Sequence, residues 1–185
     1  MKTFLVTDRF SEYLQGVKDL QARNHKDVVG TSERGFLTCQ FSVEEIGRFA
    51  SEAGIIVVTD DNGSRVLGYN ILLTIERTLT YPAYRGLVHA YQELRPECDL
   101  SKVLLARQYC VDESARGGPA VKSLYDVMRS KVCIPHGYTY SIGEIDERNR
   151  ISMVAARRLL GYTFIGSYQS DGITWNIGER LEIPA

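Results

Sequence analysis

VLLARQYCVDESARGGPAVKSLYDVM at residues 103–128 and YTYSIGEIDERNRISMVAARRLLGY at residues 138–162 decide the fold. Each reads as an apolar strand, a polar turn and a helix. In the first, residues 103–111 form a strand, Arg116-Gly-Gly a turn, and residues 119–132 a helix with Val121, Leu124, Tyr125, Met128 and Val132 on one face. In the second, residues 138–145 form a strand and 149–160 a helix led by Asn149, with Ile151, Val154, Ala155 and Leu159 predicted inward. A strand that feeds a turn and a helix N-terminus aims unpaired backbone N–H groups and the positive end of the helix dipole at an anion. The unit therefore suits the pyrophosphate of a nucleotide-type cofactor.

Outward from this unit, Leu14, Val17 and Leu20 recur at helical spacing, which predicts a helix over 11–24 with Ser11 as N-cap. Ser42-Val-Glu-Glu45 has the spacing of a capping box, with Ile46, Phe49 and Ala50 on one face of a short helix ending near Gly54. The period then changes to that of a β-hairpin: residues 55–58, the Asp-Asn-Gly turn at 61–63, and residues 66–73. Residues 78–100 carry Tyr81, Tyr84, His89 and Tyr91 among prolines and charges, which reads as a short helix with flanking loop. A last hairpin, residues 162–168 and 173–183, turns at Asp171-Gly172. This order of elements builds a mixed α/β sheet with helices on its faces.

With 185 residues and 44% hydrophobic composition, the chain fits one globular domain with a full core. Its 22 basic and 23 acidic side chains nearly cancel, so neither nucleic acid nor an anionic membrane is an expected partner. Cys39, Cys98, Cys110 and Cys133 show no metal-ligand spacing, and His25, His89 and His136 are equally scattered. No metal is expected. The first ten residues read as no signal peptide, and no run approaches the ~20 apolar residues that span a bilayer. The expected location is the reduced cytoplasm.

The order of elements resembles that of the GCN5-related N-acetyltransferase (GNAT) superfamily over nearly the whole chain. The residues that carry the resemblance are Gln108-Tyr-Cys-Val111, the Arg116-Gly-Gly turn, Glu144-Ile-Asp-Glu-Arg-Asn149-Arg-Ile-Ser152 and Leu160-Gly-Tyr-Thr-Phe164. Arg34-Gly-Phe-Leu37 and Leu67-Gly-Tyr69 look like that family's N-terminal half. The resemblance implies a mixed, mostly antiparallel sheet of about seven strands, a parallel splayed central pair and four flanking helices. It also implies an N-acetyltransferase that passes an acetyl or other acyl group from acetyl-CoA to a small-molecule or peptide amine, with a homodimer common in the family. The alternative within the same fold is a module that binds acyl-CoA as a sensor or scaffold without catalysis.

The resemblance also implies roles for single residues. The backbone at 109–111 would pair with the pantetheine arm, and the N–H of Cys110 or Val111 would donate to the thioester oxygen. The pyrophosphate would sit on Arg116, Gly117, Gly118, Pro119, Ala120 and Val121. The family pattern has small residues where this chain has Pro119 and Val121; proline has no N–H to donate, and valine adds bulk at the phosphate. Lys122 is the residue that would replace part of that grip. Glu144 is the candidate general base, or else a sheet residue paired with a polar neighbour. Where many members place a tyrosine acid, this chain has Ala156, which leaves Tyr109 as a substitute acid or a buried aromatic. Asn149 and Ser152 match pantetheine-contacting positions, and Asn149 also reads as a helix cap. Arg157 and Arg158 either reach the 3′-phosphate side of CoA or line a solvated helix face. Cys110 reads as a small strand residue rather than a nucleophile. The aromatic 81–91 segment either lines the acceptor pocket or packs in the core.

Overall fold

The computed structural model describes residues 1–30 and 35–182. Arg34 of the Arg34–Leu37 stretch and the Ile183 end predicted for the last strand lie outside the described residues. In chain order the elements are β1 (Lys2–Val6), α1 (Tyr13–Asn24), α2 (Lys26–Val29), α3 (Val43–Glu52), β2 (Ile55–Thr59), β3 (Val66–Thr74), α4 (Ile75–Thr78) and α5 (Pro82–Leu94). They continue with β4 (Val103–Val111), α6 (Pro119–Met128), α7 (Ile134–His136), β5 (Tyr140–Asp146), α8 (Arg150–Leu160), β6 (Thr163–Ser170) and β7 (Ile173–Leu181). The strands form one sheet in the order β1-β2-β3-β4-β5-β7-β6, in which β4 and β5 run parallel and each of the other neighbouring pairs runs antiparallel.

Helices cover both faces of this sheet. On one face Leu14, Val17 and Leu20 of α1, Ile46, Phe49 and Ala50 of α3, and Tyr84, Leu87 and Tyr91 of α5 pack on Ile71, Leu73, Val103, Leu105 and Ile142. On the other, Ala120, Leu124 and Met128 of α6 with Ala156 and Leu160 of α8 cover Ile56, Val58, Leu72 and Leu104. Fully burying one such side chain is worth about 1.5–3 kcal/mol, so these two layers hold the sheet.

Local chemistry sets the element ends. Ser42 and Glu45 close the expected capping box: Ser42 Oγ accepts from Glu45 N–H at 3.2 Å, and Glu45 Oε2 accepts from Ser42 N–H at 2.8 Å. At α1 the expectation fails. Glu12, in helical geometry without a side-chain cap, stands at the N-cap, and Ser11 Oγ accepts instead from Tyr13 N–H at 3.4 Å. The β6–β7 turn has Asp171 at φ 51° and Gly172 at φ 72°, the left-handed pair that a two-residue hairpin needs. β1 was not anticipated as a strand: its edge position leaves Lys2 exposed while Val6 is buried against β2.

Two departures from the predicted pattern shape the centre. The sequence predicts Ile151, Val154 and Leu159 inward, yet they are 46%, 51% and 54% exposed, while Ala156 and Leu160 are buried. These apolar residues of α8 face a cleft rather than the core. In β4, the register against β3 slips by one residue: Leu72 pairs with Ala106 and Ile71 with Gln108, so Arg107 is the extra residue of a β-bulge. The bulge puts Arg107 and Gln108 on one face and bends β4. Pairing of β4 with β5 stops at Leu105–Ile142, while β5 stays paired with β7 to Asp146–Trp175. Past that point the parallel strands part.

The cap tests the account of α3. Ser42→Ala is expected to lower unfolding stability by about 1 kcal/mol in urea melts, with the slope unchanged. A loss below about 0.2 kcal/mol would show that the cap does not hold the helix start.

Candidate active site

The parted strands open a cavity of about 660 Å³ that passes between the two faces of the sheet. Its lining includes Arg107, Tyr109, Cys110 and Val111 of β4, Gly143 and Glu144 of β5, Asn149 and Ser152 at the start of α8, Arg116 and Gly117 of the turn before α6, and Val121 in that helix's first turn. The Gly35–Cys39 strap closes one side. That strap is pinned to the end of α1 by Leu37 N–H to Asn24 O and Lys26 N–H to Leu37 O, both 2.9 Å.

Glu144 follows Ile142 by two residues and so shares its face of the sheet, the face of α1, α3 and α5. Its Oε2 accepts a hydrogen bond from the Tyr168 hydroxyl on β6. Burial raises its pKa to about 7, against the opposing pull of the Tyr168 hydroxyl and the Arg107 charge, both of which favour the carboxylate. A carboxylate titrating near neutrality in a cleft is poised to accept a proton at physiological pH.

Tyr109 turns to the opposite face. It packs with the α6 and α8 cluster, and its hydroxyl is buried with no hydrogen-bond partner among the described residues. Burial raises its pKa well above the ordinary phenol value, so it stays protonated. The Cys110 thiol is buried on the Glu144 face, and burial pushes it up to about 12, which leaves it neutral and weakly nucleophilic.

The backbone of β4 has a definite orientation in the gap. Asp112 N–H donates to Leu67 O at 2.8 Å. Alternation along an antiparallel pair then turns the Cys110 N–H toward β3 as well, and leaves the N–H groups of Tyr109 and Val111 facing the space between the parted strands.

Asp112 anchors the turn that follows. Burial works to raise its pKa, but bonds from Ser114 N–H (3.1 Å) and Oγ (2.6 Å) and from Arg65 (2.9 Å) hold the carboxyl down at about 2. Arg116 folds back rather than reaching outward, with Nε donating to Val111 O at 3.1 Å and Nη2 to Asn24 Oδ1 at 2.6 Å. Gly117 adopts φ 72°, with open space where a side chain would be. Helix α6 starts at Gly118-Pro119 without a side-chain cap, so its first N–H groups have no intrahelical partner. Ala120 is fully buried under the sheet, and Gly118, Pro119 and Ala120 do not line the cavity. Lys122 is exposed and pairs with Asp126 at 3.1 Å.

Asn149 does two jobs. Its Oδ1 accepts from Ser152 N–H at 3.3 Å, which caps α8, and its Nδ2 donates to Phe36 O at 2.8 Å, which ties the strap to that helix. Arg158 lines the cavity, whereas Arg157 lies over the Phe164 ring at 4.8 Å. From the 81–91 segment Ala83 and Tyr84 line the cavity; Tyr91 is buried with its hydroxyl on Glu179 at 2.7 Å, and His89 is exposed. Sequence reasoning missed Tyr168 and Arg107. An arginine inside the apolar run of β4 was a visible signal, but nothing local to residues 163–170 pointed Tyr168 at Glu144. No group of residues suited to holding a metal ion occurs among the described residues, and no helix among them is long and apolar enough to cross a membrane.

No protein-family model matches the sequence, and no curated protein matches it. Solved structures do. An N-acetyltransferase from Staphylococcus aureus superposes with a TM-score of 0.63 at 15% identity, over 99% of this chain and 100% of that one. A GNAT-family acetyltransferase from Bacillus cereus covers 100% of both chains at 14% identity and a TM-score of 0.60. A protein assigned as an acetyltransferase from Salmonella typhimurium, solved with its cofactor acetyl-CoA, gives a TM-score of 0.63 at 10% identity over 99% of this chain and 95% of that one. At these identities the likeness is one of fold.

The Glu144 environment is directly testable. The carboxyl is expected to titrate near pH 7 by carbon-13 NMR, and Tyr168→Phe, which removes a donor to the ionised form, is expected to move that midpoint upward. A midpoint near the ordinary 4.5, or a downward move in the variant, would contradict the burial account.

Proposed function

This chain has the fold of the GCN5-related N-acetyltransferases, and from that premise we propose that it transfers an acetyl or other acyl group from acyl-CoA to an amine. The observation that carries the reading is the juxtaposition in one gap of Glu144, titrating near neutrality, and the outward-facing N–H of Val111. A base and an oxyanion donor on opposite strands of a splayed pair are what aminolysis of a thioester requires.

The residues present fit the donor. The exposed apolar wall of α8, the unpaired edge of β4 and the open Gly117 beside the uncapped start of α6 offer in turn an apolar surface, a strand edge and an anion site. Acetyl-CoA, when bound, supplies a thioester whose acyl carbon is open to attack. Val111 N–H is the donor for the carbonyl oxygen, in preference to Cys110, whose N–H is turned to β3. Glu144 takes the proton that the amine loses as the C–N bond forms. The thiol has a pKa only moderately above neutral, so the departing thiolate needs no protein acid. Tyr109, with its sealed hydroxyl, then serves packing. Arg116 acts by holding the turn to Asn24 and Val111, and Gly117 and Val121 frame the anion site.

A second reading, a module that binds the donor only weakly and does not transfer, is favoured by Pro119, which lacks an N–H in the first turn of α6, and by the bulk of Val121 at the cavity wall. Kinetics separates the two. Calorimetry is expected to show acetyl-CoA binding, and CoA release with an accepted amine is expected to fall as pH drops below about 7, because protonated Glu144 cannot take a proton. Glu144→Gln is expected to cut turnover about 100-fold or more and abolish that limb while donor affinity stays intact. No binding at millimolar acetyl-CoA would sink the acyl-CoA reading. Binding with unchanged turnover in the variant would remove Glu144 as base.

A further inference from the structure

Arg107, the bulged residue of β4, is an unusual occupant of a sheet core. Its guanidinium carbon sits 4.0 Å from the Phe41 ring centroid, 4.4 Å from Phe49, 4.5 Å from Tyr84 and 5.1 Å from Tyr81. Nε and Nη1 are buried within this aromatic cage and have no hydrogen-bond partner among the described residues. Nor does any carboxylate among the described residues come within 4.0 Å of it. Glu45 and Glu144 feel its charge only from beyond that range. Ring faces offset part of the desolvation of a cation, but a buried guanidinium is ordinarily matched by an anion.

The open side of this cation is the cavity, which Arg107 lines. Its position there follows from register. Leu105 pairs with Ile142, so Arg107 and Glu144, each two residues further on, are equivalent positions on the two strands just past the point where pairing stops. Both project to the same face, on either side of the gap. A fixed positive charge and a proton-accepting carboxylate thus face one another across the space where an acceptor amine would enter, and they are too far apart to neutralise each other directly.

We propose that the acceptor is a small zwitterion: an amine presented to Glu144 and, a few bonds away, a carboxylate or comparable anion held by Arg107. Arg107 is then a specificity-determining residue. The cage makes it a rigid one, since four rings fix a long side chain that would otherwise lose entropy on binding. A guanidinium N–H turned to the cavity can make a charge-assisted bond to a carboxylate, and an acceptor without the anion would leave the charge unmatched. This inference rests on the reading of the chain as an amine acyltransferase.

The test uses the full chain with acetyl-CoA and measures CoA release from matched pairs: protein amino acids and β-alanine, each against its carboxamide. For wild type, accepted acids are expected to exceed their carboxamides at least tenfold in kcat/KM. Arg107→Met, an apolar chain that can fill the cage, is expected to shrink the acid-to-amide ratio at least tenfold while acetyl-CoA binding by calorimetry is unchanged. Arg107→Lys, which keeps the charge but not the planar group stacked among the rings, should fall between. Because each ratio is taken within one protein, intrinsic amine reactivity cancels between variants. Should Arg107→Met fail to fold, the wild-type preference and the lysine variant decide. Carboxamides accepted as well as or better than acids, or a ratio unmoved by Arg107→Met, would overturn the inference and leave acyl transfer standing. Absence of donor binding, or of turnover with every amine, would overturn both.

Discussion

The site depends on one break in hydrogen bonding: β4 and β5 pair through Leu105 and Ile142 and then part. Two parallel strands in the middle of a sheet would ordinarily stay paired, because a separated pair leaves backbone N–H and C=O groups unmatched in the interior. The bulge at Arg107 supplies the cause, since an extra residue bends and overtwists its strand while β3 keeps hold of it on the other side. β5 meanwhile runs straight along β7 to Asp146. The divergence is thus built from a one-residue slip in one ladder and an unbroken second ladder, and it converts a packed sheet into one with a passage through its centre.

Everything around the passage serves to hold it open and to set its charges. Glu182 on the α6 side accepts from Tyr125 at 2.6 Å and from Ser141 at 2.5 Å, which fastens α6 to the paired end of β5. Asn149 fastens the strap to α8, and Arg116 fastens the turn to α1. These are polar bonds between elements distant in sequence, and their net worth is about 1 kcal/mol each where neutral and more where charged. Burial raises Glu144 toward neutrality, a shift that its bond to Tyr168 limits, while the Arg107 guanidinium is met by aromatic faces instead of an anion.

Much of this was legible in the sequence because it is written in local chemistry. The Ser42–Glu45 box, the Asp171-Gly172 turn and the strand-turn-helix at 103–128 each carry their signal within a few residues. The direction of α8 was misread for a physical reason: Ile151, Val154 and Leu159 have the spacing of a core stripe, but the apolar surface they meet is the wall of an open cleft. Periodicity reports that a face is apolar, not what covers it. Arg107 and Gln108 share a face only because of the bulge, and a bulge has no signature in the alternation of β4. The Tyr168–Glu144 bond joins residues 24 positions apart through an intervening strand, and no local pattern encodes it.

The central claim is that the parted edge of β4 and the open turn before α6 receive one ligand, acyl-CoA. Amide chemical shifts in a nitrogen-15 NMR titration with acetyl-CoA read this edge residue by residue. The largest changes are expected at the N–H groups of Tyr109 and Val111, at Gly117, Gly118, Ala120, Val121 and Lys122 (Pro119 has no N–H), and at Asn149 through Ser152, with Cys110, turned to β3, moving less. Changes confined to another surface, or none at millimolar acetyl-CoA, would contradict it.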